Sequence, residues 1–216
     1  MKSSLQWLMR AAAVAALVVG PPQAAAARSE SVIGGTPTAK TLIAEVDPDF
    51  SIFREADQGG VMHQPSGMHC VLGADGFRLT HLMVSPIGKR GDDVGCDYVT
   101  DDGKVSVFAT RANGTTVDET VQGVLAAIKM MHPTASPTRN PAVATYPGLA
   151  DPAAFSVRMN EQNRELVRSA WIVKCGDWIV QVRATYPDGV RDDREVMAGL
   201  ALIAARNSMD CGAASK

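Results

Sequence analysis

The sequence predicts an α+β fold: an antiparallel sheet of about seven strands with two main helices packed on it. Three observations lead there. Apolar residues alternate with period two in segments joined by turn dipeptides, the mark of paired strands. Two stretches, near 116–131 and 193–206, instead carry helical spacing behind capping signals. The order is two hairpins, a helix, three strands and a second helix, which fits an α+β sandwich with helices against the inner sheet face.

The chain opens on a segment that makes sense only if removed. Lys2 and Arg10 bracket a polar start, Ala11–Gly20 is an unbroken apolar run, and Ala25-Ala26-Ala27 forms a small-residue cleavage site before Arg28. The run is about half of what a spanning helix needs. Residues 1–27 therefore read as a secretory signal peptide. No cysteine lies near the cut to accept a lipid, and Arg10 has no twin. Removing 27 residues from 216 leaves 189, the size of one domain. The leader carries Lys2 and Arg10 but no acid, so the mature chain has 19 basic against 23 acidic residues, a formal charge of −4. That excludes the basic field on which nucleic-acid binding leans. It also gives no attraction to anionic lipid, and the expected product is periplasmic or secreted without membrane insertion.

Residues 28–60 are polar, with apolar patches at Leu42–Val46 and Phe50–Phe53, and read as an extended or strap-like segment before a disulfide-bonded domain at 61–212. The first hairpin joins Met68–Leu72 to Phe77–Val84 through Gly73–Gly76. A four-residue loop there sets Cys70 opposite Leu79 and points Cys70 and His81 inward, with Met83 on the same face. The second joins Val94–Thr100 to Lys104–Thr110 through Asp102-Gly103. It sets Cys96 opposite Ala109, again inward.

Thr116-Val-Asp-Glu119 is a capping box, and Val117, Val121, Val124, Leu125, Ile128 and Met131 recur at helical spacing before Pro133. Pro133–Pro152 holds five prolines in twenty residues, a long irregular connection of the kind that forms lids or partner contacts. Leu166–Cys175 and Trp178–Tyr186 are joined by Gly176-Asp177. That register faces Cys175 to Trp178, Val173 to Val180 and Trp171 to Val182, leaving Arg168, Lys174, Gln181, Arg183 and Thr185 opposite. Phe155, Val157 and Met159 form the strand before it. An odd loop or a bulge near Asn160–Asn163 is expected to keep those three on the apolar side; a clean even turn would mean that both faces are covered. The last helix carries Val196, Met197, Leu200 and Ile203 as its apolar stripe.

Four cysteines permit three pairings. The strand after Cys175 runs about 30 Å away and the final helix returns over about 20 Å, bringing Cys211 back to Cys175. By elimination Cys70 pairs with Cys96. Wide spacing, inward positions and the lack of a CxxC motif disfavour a redox role.

Several groupings carry potential chemistry. His63, Ser66 and His69 could centre a hydrolase or a metal-dependent enzyme, although no strand-turn-helix elbow surrounds the serine. His81 could join His63 and His69 on a metal only through a bulge. Gly91–Asp97 with Asp101 and Asp102 offers oxygens for calcium, but its spacing is not that of a calcium loop, and turn formation explains it better. Arg158, Arg168 and Arg183 lie on neighbouring strands, and Arg168 and Arg183 share a face with Gln181. Paired guanidinium groups hold carboxylate or phosphate bidentately, so these three residues, Arg168, Gln181 and Arg183, are the ligand-binding candidates, with Glu165 and Asp177 available to neutralise part of the charge. No cofactor or metal is implied.

The element order over residues 60–210 resembles the PsbP-like α/β sandwich of lumenal and periplasmic accessory proteins. His63-x-x-Ser-Gly-x-x-Cys70 with Gly91-Asp-Asp-Val-Gly-Cys96 is similar to exported bacterial proteins that are uncharacterised. The resemblance implies a non-enzymatic binding or assembly factor, and the four cysteines depart from that group; the open sheet face near Arg168 and Arg183, together with the Pro133–Pro152 loop, is expected to meet a cell-envelope protein or a small anionic ligand.

Overall fold

The computed structural model describes residues 37–74, 76–143 and 152–211; residues 1–27, expected above to be a leader, and residues 144–151 of the proline-rich connection lie outside them. The fold is α+β. Its centre is an eight-stranded antiparallel sheet in the order β4-β5-β6-β7-β11-β10-β9-β8. The strands are β4 (Gly73–Ala74), β5 (Phe77–Val84), β6 (Asp93–Val99), β7 (Lys104–Arg111), β8 (Ser136–Pro137), β9 (Ala153–Glu161), β10 (Arg164–Cys175) and β11 (Trp178–Tyr186). A second, three-stranded sheet of β1 (Phe53–Glu55), β2 (Val61–His63) and β3 (His69–Cys70) packs into the same core. The helices are α1 (Ala39–Val46), α2 (Val117–Met131) and α3 (Arg191–Ser208).

Residues 39–46, without a clear period in the sequence, form a helix because Thr38 caps it and Leu42 and Ile43 bury under the sheet. Asp47 ends that helix. Its buried carboxylate accepts from the Ile52 and Phe53 backbone N–H groups at 2.7 and 2.8 Å and from Arg90 at 3.2 Å. Burial raises its pKa, but the backbone donors outweigh burial and hold it below the usual carboxylate range.

The C-terminal hairpin has the predicted register, Cys175 against Trp178 through to Val167 against Tyr186. Elsewhere three expectations are corrected. Cys70 does not oppose Leu79: it pairs with Val61 in the small sheet, while Gly73 and Ala74 meet Arg78 and Phe77. In β5 a bulge between Leu79 and His81 advances the face by one residue, so Leu82 turns inward opposite Cys96 and His81 is exposed, with Met83 on the outer face. Cys96 faces Val107 instead of Ala109, a slip of two that leaves every side chain on its expected side. The slip follows from Gly103, where a Cβ would lie 2.4 Å from the Thr185 carbonyl oxygen, so the glycine serves close approach while the loop spans Thr100–Gly103.

The β9–β10 connection is a clean even turn. Gln162 (φ 52°) and Asn163 (φ 62°) both take the left-handed region, matching a primed hairpin turn. Phe155, Val157 and Met159 therefore stand with Ala170 and Ile172, opposite to the main core. Helix α2 covers them through Val124 and Ile128, its capping box formed by Thr116 and Glu119. So α2 and α3 pack on opposite faces of the sheet, not together on one, and Met131 ends exposed beyond the covered patch.

The inward stripe of α3 is also not the predicted one. Arg191, Glu195, Ala198, Leu202 and Ala205 bury, leaving Val196 and Leu200 exposed. Small alanines let the helix sit close to β11, and its polar first turns enter a buried network instead of water. Disulfides join Cys70 to Cys96 and Cys175 to Cys211. The first ties the small sheet to the large one; the second ties the tail after α3 to the end of β10.

Candidate functional site

The outer sheet face is covered by α2 only over β9, β10 and the start of β11. Beyond that helix, neighbouring strands present Arg168, Thr185 and Lys104 in one cross-strand row, and Arg183, Ser106 and Asp97 in the next. Gln181 and Phe108 follow in the third. Arg168 and Arg183 are half-buried there.

Each arginine makes one side-chain hydrogen bond: Arg168 Nε donates to Thr185 Oγ1 at 3.1 Å, and Arg183 Nη2 donates to Gln181 Oε1 at 2.8 Å. Arg183 also lies over the Phe108 ring, 4.7 Å from its centroid. Neither has an ion-pair partner among the described residues, and Arg183 Nε is buried without an acceptor. Burial lowers both guanidinium pKa values, the charge of Arg168 lowers that of Arg183 further, and Glu161 and Asp93 oppose this only in part. A guanidinium carries five N–H donors, so most of the pair's donors have no acceptor among the described residues. The two guanidinium groups thus repel one another and are only partly offset by nearby carboxylates.

Two nearby carboxylates are already engaged. Asp97 accepts from Ser106 and sits 3.8 Å from Lys104, and Asp93 accepts from Thr110 at 2.8 Å. Arg158 is not part of the cluster: it lies on the other face, paired with Asp188 at 2.9 Å and Glu165 at 3.5 Å. Glu165 and Asp177 thus serve Arg158 and Arg111 and do not neutralise the arginine pair.

The other groupings are dispersed. His63 Nδ1 meets Ser66 Oγ at 2.7 Å, but both are buried, Ser66 Oγ accepts from the Met68 backbone N–H, and the ring packs edge-on against Trp178. Among the described residues no carboxylate hydrogen-bonds this imidazole, and His69 turns away to the Gly59 carbonyl oxygen. The pair fixes a turn. In the aspartate run, Asp92 takes Arg111 and Asp102 takes Arg194, and among the described residues no group of three His, Cys, Asp or Glu could hold a metal.

Desolvation pushes His63 down to about 4, with the Gly91 backbone opposing and Arg111 assisting. A histidine with a depressed pKa binds its proton better unfolded, so its contribution is complete above pH 6.5 and lost as pH falls to about 4. That window costs about 3 kcal/mol. Urea unfolding at pH 7 and pH 4.5 checks it: His63→Gln should show a flatter pH dependence than the wild type by roughly this amount.

Sequence reasoning missed a buried polar network on the inner face. Glu195 Oε1 accepts from Arg191 Nε at 2.6 Å and from the Tyr186 hydroxyl at 3.1 Å, and Oε2 accepts from the Ala142 N–H at 3.1 Å. Tyr186, Ser169 and Ser156 continue the chain at 2.5 and 2.6 Å, and Arg191 closes it onto Ser156 and the Arg139 carbonyl oxygen. Trp171 Nε1 donates to the Ala142 carbonyl oxygen at 2.9 Å. The network pins residues 138–142 of the proline-rich connection against the sheet. Ser169, flanked by Val167 and Trp171 on the inward face, was its one sequence signal.

No protein-family model matches the chain, and no curated protein matches it in sequence. Among solved structures, PA94 of Pseudomonas aeruginosa, a protein of unknown function, is similar over 69% of this chain and 92% of its own, at 8% identity and a TM-score of 0.39. LpqN of Mycobacterium tuberculosis, involved in cell envelope biogenesis, is similar over 82% of this chain and 96% of its own, at 14% identity and a TM-score of 0.33. A Bacteroides thetaiotaomicron protein is similar over 57% of this chain and 43% of its own, at 15% identity and a TM-score of 0.30.

Proposed function

We propose that this chain is a non-enzymatic binding or accessory protein of the periplasm or extracellular space that holds an anionic group, on a small ligand or on a cell-envelope partner, at Arg168 and Arg183 with Gln181 in support. The observation that carries this reading is the uncompensated arginine pair, half-buried beside unused donors. The leader read at residues 1–27, the two disulfides and the PsbP-like element order support the location and the accessory role. Among the described residues no helix is long and apolar enough to cross a membrane.

Calorimetric titration with inorganic phosphate tests the site through the double variant Arg168→Met/Arg183→Met, which keeps the aliphatic packing. Charge-assisted hydrogen bonds to arginine contribute about 1.5–3 kcal/mol each, so affinity should fall more than tenfold. Because the charges lack partners, the melting temperature should hold or rise. Unchanged phosphate binding, or a collapse of stability, would count against this assignment.

A further inference from the structure

The arginine pair does not stand on a wholly polar surface. In the row beside it, Phe108 of β7 faces Gly95 of β6, and Gly95 faces Met83 of β5. A Cβ on Gly95 would lie 2.7 Å from Met83 Cε and 2.8 Å from Phe108 Cδ1. The glycine thus lets the two apolar side chains lean together over the sheet, where they form a half-buried shelf. Arg183 stacks on the Phe108 end of that shelf. From Arg168 on β10 through Arg183 on β11, the surface passes from paired guanidinium groups to a continuous apolar strip across β7, β6 and β5. Strands lie about 4.8 Å apart, so the strip beyond the head site is about 10 Å long.

Resting on the anion-site reading above, we propose that the outer sheet face binds a single-headed amphiphile: a carboxylate or phosphate head on Arg168 and Arg183, and a medium-length hydrocarbon chain along Phe108, Gly95 and Met83. An oxyanion alone would satisfy the guanidinium groups and leave the shelf wet. A chain on the same molecule removes that shelf from water, and each methylene buried adds to affinity. The flanking acids do not block the path of the chain: Asp97 is held by Ser106 and Lys104, and Asp93 by Thr110.

The test uses four probes on the intact protein by calorimetry, below their micelle concentrations: inorganic phosphate, octyl phosphate, acetate and octanoate. Octyl phosphate should bind at least tenfold tighter than phosphate, or octanoate at least tenfold tighter than acetate; the stronger series identifies the head. Met83→Gln, which touches the shelf and not the arginines, should abolish the gain from the chain while leaving phosphate affinity unchanged. Equal affinities with and without the chain overturn the amphiphile and leave the anion site standing. Loss of binding by all four probes overturns both.

Discussion

Reducing both disulfides is expected to unfold the protein at ordinary temperature. The bridges close loops of 26 and 36 residues, and in the chain-entropy account each destabilises the unfolded ensemble by about 3.5 kcal/mol. Together that is about 7 kcal/mol, within the whole net stability of a typical domain. The bridges also anchor short or terminal segments to the main core. Cys70 lies on a two-residue strand of the small sheet, and Cys211 follows the last turn of α3. Circular dichroism with and without reductant, with urea titration of Cys70→Ser/Cys96→Ser and Cys175→Ser/Cys211→Ser, reads the effect directly. A reduced protein whose urea midpoint equals that of the oxidised form would show that the bridges are decorative.

The second large effect comes from Glu195. Its carboxylate is buried and faces Arg191, itself nearly enclosed, so Glu195→Ala would leave an interior guanidinium with only Asp188, 3.9 Å away, as counter-charge. Breaking a buried pair in this way costs about 3–5 kcal/mol. The Tyr186 hydroxyl, whose pKa burial pushes up, loses its acceptor, and the Ala142 N–H loses the contact that holds the proline-rich segment. The expected result is a lower urea midpoint together with faster proteolysis within residues 139–143. Combining Glu195→Leu with Arg191→Met should cost less than the sum of the single changes, because the two charges leave together. Additive losses would mean that the network is not energetically coupled.

What the sequence made legible depended on where one residue fixes a register. Gly176 permits a two-residue turn, and from it the entire C-terminal hairpin follows. The capping box did the same for α2. Cys96 stayed inward despite an error of register because a slip of two keeps inward residues inward, and Cys70 reaches it from the small sheet. The misses have equally specific causes. Gln162-Asn163 adopts a left-handed pair without glycine, which hid the even turn and with it the covered outer face. The β5 bulge exchanged Leu82 for His81. Helix α3 buries charged residues and alanines instead of its bulkiest apolar ones, because Glu195 and Arg191 have partners waiting in the sheet. For the candidate site, the shared face of Arg168, Gln181 and Arg183 was legible from strand parity. The Phe108–Met83 shelf was not, since it depends on the bulge that turns Met83 outward and on the space above Gly95.

The most direct test of the central claim is an arginine-selective nuclear magnetic resonance titration of the guanidinium Nε–H groups with octyl phosphate at constant ionic strength. Binding at the outer face predicts saturable shifts of the Arg168 and Arg183 signals, while Arg158 and Arg191, already held by carboxylates, stay in place. Uniform small shifts of all the arginines, or saturable shifts confined to residues other than Arg168 and Arg183, would contradict it.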